Sequence, residues 1–370
     1  MRNRFLIPVF VVFTGLVLII SYTHWQNKVS HIAASASKEE PDFSNPYERK
    51  TFKEKLENGL SIKTLIIGDS IGDSMGTGDE EHFWYNQIRE KIESEHGSNM
   101  RFEKLTRGGA TTFDGLFDLI GSPNRNVYDL AIVVYGQNDK GLLSVNEFES
   151  NYKNLISLIN MYHPASEIVT VIENSLDPDN EYADIINSLA DEYGTILVDM
   201  REPFTSTNGN LTVDGIHPNN DGYNLYADAI YEAISEYSGD SEVKTEEPVY
   251  TEKLKLSFKD SQGFTALNGS YYSDEKGSFI EYEFEGNAVA VSFSATENSG
   301  TAKAYINGEL VNEFNLYAPD GRPKHFLVAN ELGDGQHTLK IEVTGTPSVN
   351  YDGDSTEGIE VNLLGAYLLR

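Results

Sequence analysis

Near residue 238 the hydrophobic pattern of this chain changes its period, and that change dictates the architecture. From residue 62 to about 234, short β-rich runs at 62–67, 129–134, 168–172 and 196–198 alternate with amphipathic stretches at about 80–95, 148–161, 182–193 and 223–234. Strands separated by helices pair in parallel, so this half predicts a sheet covered on both faces, with functional residues in the loops after the strand C-termini. Past a charged, turn-rich linker at 238–250 the helical period vanishes. Alternating runs at 254–258, 279–284, 288–293, 302–306, 310–314, 337–343 and 359–364 replace it, with Asn307-Gly308 as a two-residue hairpin signal. About seven short strands predict an antiparallel β-sandwich over 251–370.

Three features of composition limit what such a chain can do. The 370 residues include 28 Lys and Arg against 58 Asp and Glu, a formal charge of −30, which repels nucleic-acid phosphates. The chain contains no cysteine, so disulfides, thiolate metal sites and a cysteine nucleophile are excluded and any nucleophile is oxygen or nitrogen. Arg2 and Arg4 precede sixteen mostly apolar residues, Phe5 to Ile20, with Tyr22 and Trp25 behind them. That order reads as an export segment, residues 1–25, with everything after it outside the cytoplasm. The small-residue run Ala33 to Ala36 lies too far from the apolar stretch for ordinary cleavage, which favours a retained membrane anchor over secretion. Residues 26–58, polar and containing Pro41 and Pro46, read as a spacer without periodicity.

Chemistry concentrates at the predicted strand ends. Gly68-Asp69-Ser70-Ile71-Gly72 follows the apolar run Leu65 to Ile67, and a serine on a strand-to-helix turn presents its hydroxyl at the top of the sheet. A second copy, Gly72-Asp73-Ser74-Met75-Gly76, lies one turn further on, where Ser74 is expected to pack or cap. Asp214-Gly215-Ile216-His217-Pro218-Asn219 stands just before the last helix, and Asp and His three apart on one turn can meet, the carboxylate fixing the imidazole tautomer. Arg107-Gly108-Gly109-Ala110-Thr111-Thr112 follows the run 102–105, and Gly136-Gln137-Asn138-Asp139 follows 130–134. Glycine lets a backbone N–H approach a substrate, and asparagine can add a second donor. A Gly-x-Ser-x-Gly elbow of the α/β-hydrolase type fits poorly, because only one strand precedes Ser70.

These four blocks, in this order, resemble the SGNH (GDSL-like) hydrolase superfamily across about residues 62–235. The resemblance implies a three-layer, flavodoxin-like α/β domain at 59–237 and assigns Ser70 as nucleophile, His217 as general base and Asp214 as its orienter. It also implies an oxyanion hole from the Ser70 N–H, Gly109 and Asn138, with Gln137 larger than the family's usual residue and narrowing the pocket. More loosely, 277–284 and 335–341 resemble galactose-binding-like jelly rolls, for which Tyr271, Tyr272, Tyr317 and Tyr351 are candidate stacking residues in loops. Asp352, Asp354 and Glu357 lack a full calcium-loop pattern, and neither metal nor organic cofactor is expected.

The leading expectation is an extracytoplasmic serine esterase that removes acyl groups, chiefly acetyl, from a surface or extracellular polysaccharide. One alternative is an O-acetyltransferase with the same acyl-serine, fed by a membrane acyl-donor protein. Another is a non-catalytic glycan-binding surface protein, which the Ser70, Asp214 and His217 set disfavours.

Overall fold

Strands β1 (Ile62–Gly68), β2 (Met100–Thr106), β3 (Leu130–Val134), β4 (Glu167–Ile172) and β5 (Ile196–Asp199) form one parallel sheet in the order β2-β1-β3-β4-β5. β3 carries no exposed residue because both faces are covered, and its sequence is correspondingly apolar. Alternate side chains enter two cores. Leu65, Ile67, Ala131 and Val133 meet α3 (Thr112–Leu119), α5 (Val145–Tyr162) and α6 (Glu181–Tyr193). Ile62, Ile66, Ile132 and Val134 meet α1 (Phe52–Glu57), α2 (Trp84–His96) and α8 (Asn220–Glu236). Strand order reverses between β1 and β3, the position where open α/β sheets bind ligands. Two short helices, α4 (Asp139–Leu142) and α7 (Arg201–Ser206), complete this half.

The second half is an antiparallel sandwich. One sheet runs β13-β12-β15-β10-β7, built from Glu309–Asn315, Gly300–Ile306, Gln336–Pro347, Phe279–Glu285 and Phe258–Gln262. The other runs β14-β11-β16-β9-β8, from Arg322–Ala329, Ala288–Ala295, Val361–Leu369, Ser270–Ser273 and Thr265–Leu267, with β6 (Lys253–Lys255) beside β16. Ile306 pairs with Glu309 across the expected Asn307-Gly308 turn. The computed structural model describes residues 50–122, 127–239, 244–353 and 357–370. The export segment 1–25, spacer residues 26–49 and Asp354 lie outside the described residues.

Several expectations need correction. Eleven strands, not seven, make up the described sandwich, because β8 and β9 are short and β14 mixes charged with apolar residues. The described end of the spacer forms α1, capped by a Thr51–Glu54 box, with Phe52 and Leu56 buried in the core. Its two apolar residues, four apart, were too few for a period to register. The helix expected from residue 80 begins at Trp84, after a 3-10 turn at Glu80–His82. Tyr271 and Tyr272 are on strand β9 rather than in loops, and Tyr271 packs edge-on against Phe258. The described part of the linker is fastened down: the Val249 N–H donates to Asn154 Oδ1 on α5 (2.7 Å), and Tyr250 is buried.

The two halves share a core. Tyr250, Ala288, Ala290 and Leu369 join the cluster formed by α3, α5 and α6. Phe117 of α3 stacks on His325 of β14 with centroids 4.3 Å apart and meets Tyr367 of β16 edge-on. The Lys253 ammonium lies 4.0 Å from the centre of the same ring.

Candidate active site

Ser70 sits two residues past the end of β1, on a series of turns spanning 70–76 rather than at the mouth of a helix. The N–H groups beside the serine, where the sequence pattern predicted the start of a helix, are therefore those of turns. The Asp69 Oδ1 accepts the Ile71 N–H (2.8 Å), and the Met75 N–H donates to Ser70 O (2.9 Å), so the turn closes around the serine. Ser74 takes up φ 63 and is buried without a partner for its hydroxyl among the described residues, a packing position away from the relay. Gly76 presses against the opposite wall, where a side chain would strike the Pro218 carbonyl and approach His217 Cβ within 3.2 Å. Only glycine lets the two loops meet.

The opposite wall is the 211–219 loop, closed by a bridge between Thr212 and Pro218 and by the Val213 N–H on His217 O (2.9 Å). Asn219 ends it by capping α8 through the Gly222 N–H. Asp214 Oδ1 accepts the Ile216 and His217 N–H groups (3.0 and 2.8 Å), which aims Oδ2 at His217 Nδ1, 2.7 Å away. His217 Nε2 is 2.9 Å from Ser70 Oγ. The hydrogen bond from the His217 ring, then those from backbone, hold the Asp214 carboxyl down at about 2, so it stays ionised beside the imidazole. This relay can take a proton from the serine hydroxyl as the serine attacks.

Two adjacent strand ends supply the rest of the cleft. Gly109, φ 65, lies on the turn after β2, and Asn138 lies after β3 at the start of α4. Asn138 Nδ2 donates to Asp69 Oδ2 (2.7 Å) and to Ala110 O (3.1 Å), tying the three loops together. Both N–H bonds of that amide are thereby engaged within the protein, unlike the free donor expected from the sequence. Gln137 donates its N–H to Glu173 Oε2 (2.7 Å), so the residue expected to narrow the pocket also anchors its loop from behind.

Three carboxyls lie under this floor: Asp69 and Asp139, which stand in the sequence blocks without an assigned role, and Glu173, which the sequence reading missed. Glu173 and Asp139 are fully buried, and Asp69 with them. Burial first, and then the Asp69 charge, push the Glu173 carboxyl far up, whereas N–H donors from Ile71 and Gly72 oppose the upward pull of burial on Asp69. Asp69 Oδ2 remains the acceptor for Asn138. Asp139, lifted by burial to about 7, accepts the N–H and hydroxyl of Thr112 (2.9 and 2.5 Å) and so joins the third block to the second. Next to Glu173, Asn174 donates to Ile216 O (3.2 Å) and steadies the histidine loop. Glu173 and Asn174 directly follow the run 168–172, so their position at the sheet edge was a usable signal. Among the described residues no group of three or more His, Asp or Glu is arranged to hold a metal ion.

Residues 66–225 match the model of the GDSL-like Lipase/Acylhydrolase family. The whole two-part fold matches the crystal structure of a two-domain esterase active on acetylated mannans, with a TM-score of 0.67 at 14% identity, covering 85% of this chain and 93% of that one. Two curated proteins of Flavonifractor plautii share shorter segments. An A type blood N-acetyl-alpha-D-galactosamine deacetylase is 32% identical over 93 residues, 25% of this chain and 12% of that protein. An A type blood alpha-D-galactosamine galactosaminidase is 30% identical over 86 residues, 23% of this chain and 8% of that protein. The chain thus spans about an eighth or less of the curated relatives it matches. Four ordered sequence blocks and the matching family model make residues 66–225 similar to the GDSL-like lipases and acylhydrolases, and a 2-1-3-4-5 parallel sheet followed by a β-sandwich gives the chain the fold of a two-domain esterase.

Proposed function

We propose that the protein is an extracytoplasmic carbohydrate esterase that removes acetyl groups from an acetylated polysaccharide through an acyl-enzyme on Ser70. The observation that carries this reading is the unbroken line from Asp214 Oδ2 to His217 and on to Ser70 Oγ, at 2.7 and 2.9 Å. His217 Nε2 takes the hydroxyl proton while Ser70 Oγ attacks the ester carbonyl, and the Ser70 and Gly109 N–H groups receive the developing oxyanion. The imidazolium then returns that proton to the departing sugar oxygen. Water, deprotonated by the same imidazole, attacks the acyl-serine and releases acetate.

Support for an acetylated glycan comes from the mannan esterase that shares the two-part fold and from the name of the galactosamine deacetylase, which also acts on a sugar. Support for a place outside the cytoplasm comes from Arg2, Arg4 and the apolar run Phe5 to Ile20, which also supply the membrane attachment. The test is acetate release from acetylated mannan or xylan by the 370-residue protein, with Ser70→Ala as control and mass spectrometry of added oligosaccharides. Free acetate that depends on Ser70 supports the esterase. Acetylated oligosaccharide in place of acetate makes it a transferase, and cleavage of lipid esters alone overturns the glycan assignment.

A further inference from the structure

The sandwich reaches the Gly109 turn through one side chain. Before β14 the chain turns at Gly321, whose N–H donates to Ala318 O (3.1 Å), and Arg322 opens the strand. Its guanidinium lies against the Gly109 turn. A methyl group built on Gly109 would fall 2.7 Å from Arg322 Cζ and 3.0 Å from Nη1, with Nη2 nearer still. Both oxygens of Asp320 hold Nη1 at 3.0 Å, and the same carboxylate borders Gly108. Nε is buried and has no hydrogen-bond partner among the described residues. Four-fifths of the side chain is out of solvent.

The placement is fixed from both sides. Three residues along β14, the His325 N–H donates to Asp114 Oδ1 (3.1 Å) and its ring stacks on Phe117. Asp114 and Asp118 are held in turn by Arg107 at 3.1 and 2.8 Å, on the loop that carries Gly109. The Arg322 charge therefore approaches Gly109 on a strand packed into the α3 helix, not on a free loop.

Two features of the cleft give that cation a task. Asp69, buried next to Ser70 in the chain, accepts from Asn138 and sets a negative charge against an oxyanion, and both N–H bonds of Asn138 are engaged by Asp69 and Ala110. A fixed positive donor beside Gly109 offsets both. We propose that Arg322, supplied by the sandwich, is a catalytic residue of the esterase, donating from its guanidinium to the carbonyl oxygen of the bound ester and to the oxyanion formed on attack. The proposal rests on the Ser70 reading above. No bond to Arg322 forms or breaks, and the negative charge that builds on the carbonyl oxygen collapses when the alkoxide leaves.

p-Nitrophenyl acetate separates this task from sugar binding, because it carries no sugar. In the 370-residue protein, Arg322→Ala should lower kcat on this ester about 100-fold with KM within about threefold, the loss usual for a missing oxyanion donor. Arg322→Lys should recover part of the rate, and added guanidinium ion should restore Arg322→Ala in a saturable way. Thermal unfolding confirms that each variant is folded. A folded Arg322→Ala that keeps kcat on p-nitrophenyl acetate within twofold and fails only on acetylated oligosaccharide overturns the proposal, as does a folded, slow variant that guanidinium does not rescue. Activity that survives in Ser70→Ala overturns the parent reading instead, and the proposal falls with it.

Discussion

The parallel sheet and the sandwich expose function in opposite ways. In the parallel sheet, helices cover both faces, so the polar residues that act on a substrate collect in loops at one edge, and topology selects the β1/β3 switch among them. Ser70, Gly109 and Asn138 all lie there. In the antiparallel sandwich, hairpins emerge at both ends and nothing in a strand pattern ranks one loop above another. Its contribution is set by docking: β14 lies on α3, and whatever begins β14 meets the cleft. Position within the sheet thus locates a site in the first half, and contact with a neighbour locates it in the second.

The largest expected effect tests the first half of that comparison. Ser70→Ala or His217→Ala should lower kcat about 10⁴-fold or more on any acetyl ester, while Ser74→Ala leaves it nearly unchanged. A serine-directed fluorophosphonate gives the same answer by labelling, and loss of label in Ser74→Ala with retention in Ser70→Ala would reverse the assignment.

The joint between the halves comes next. Phe117 is buried among His325, Tyr367 and Lys253, so Phe117→Ala should cost about 3–5 kcal/mol in denaturant unfolding. It should also split one cooperative transition into two. A single transition displaced by less than about 1 kcal/mol would mean that the halves are joined elsewhere.

Acid–base behaviour gives a smaller signal under the cleft. The Asp139 carboxyl is lifted by burial to about 7, against about 4 in an unfolded chain. Stability from its protonated form is fully present below about pH 4 and is lost as pH rises through about 7. Asp139→Asn keeps an acceptor for Thr112 and should flatten the stability profile over that window by up to about 1.4 kcal/mol per pH unit. An unchanged slope in urea melts from pH 4 to 7 would show that another carboxyl carries the proton.

The smallest effect concerns the edge of the first half. Thr51→Ala removes the α1 cap and should cost about 1 kcal/mol in the same melts. No change would return residues 50–58 to the status of a spacer.

Much of this molecule was legible before any coordinates. The period change gave both fold classes, and the Asp214–His217 spacing together with its place at the sheet edge pointed to the contact that joins them. Glu173 and Asn174 were missed although they end a readable strand, because a buried acid looks in sequence like any loop acid and only the fold shows that it is enclosed and accepts the Gln137 N–H. Asn138 was placed at the right edge, but its two hydrogen bonds depend on where the Ala110 carbonyl points. Arg322 lay beyond reach entirely, since 213 residues and a domain joint separate it from Gly109.

The shared core also bears on how the protein is made. Leu369 at the end of β16 packs into the cluster formed by α3, α5 and α6, and Lys253 and Tyr367 close over Phe117. During synthesis the parallel-sheet half therefore leaves the ribosome before the last side chains of its own interior exist, so a chain stopped short of β16 leaves an apolar wound on that half. The two halves can assemble only after β16 has been delivered, and the sandwich cannot be traded for another module without rebuilding that face.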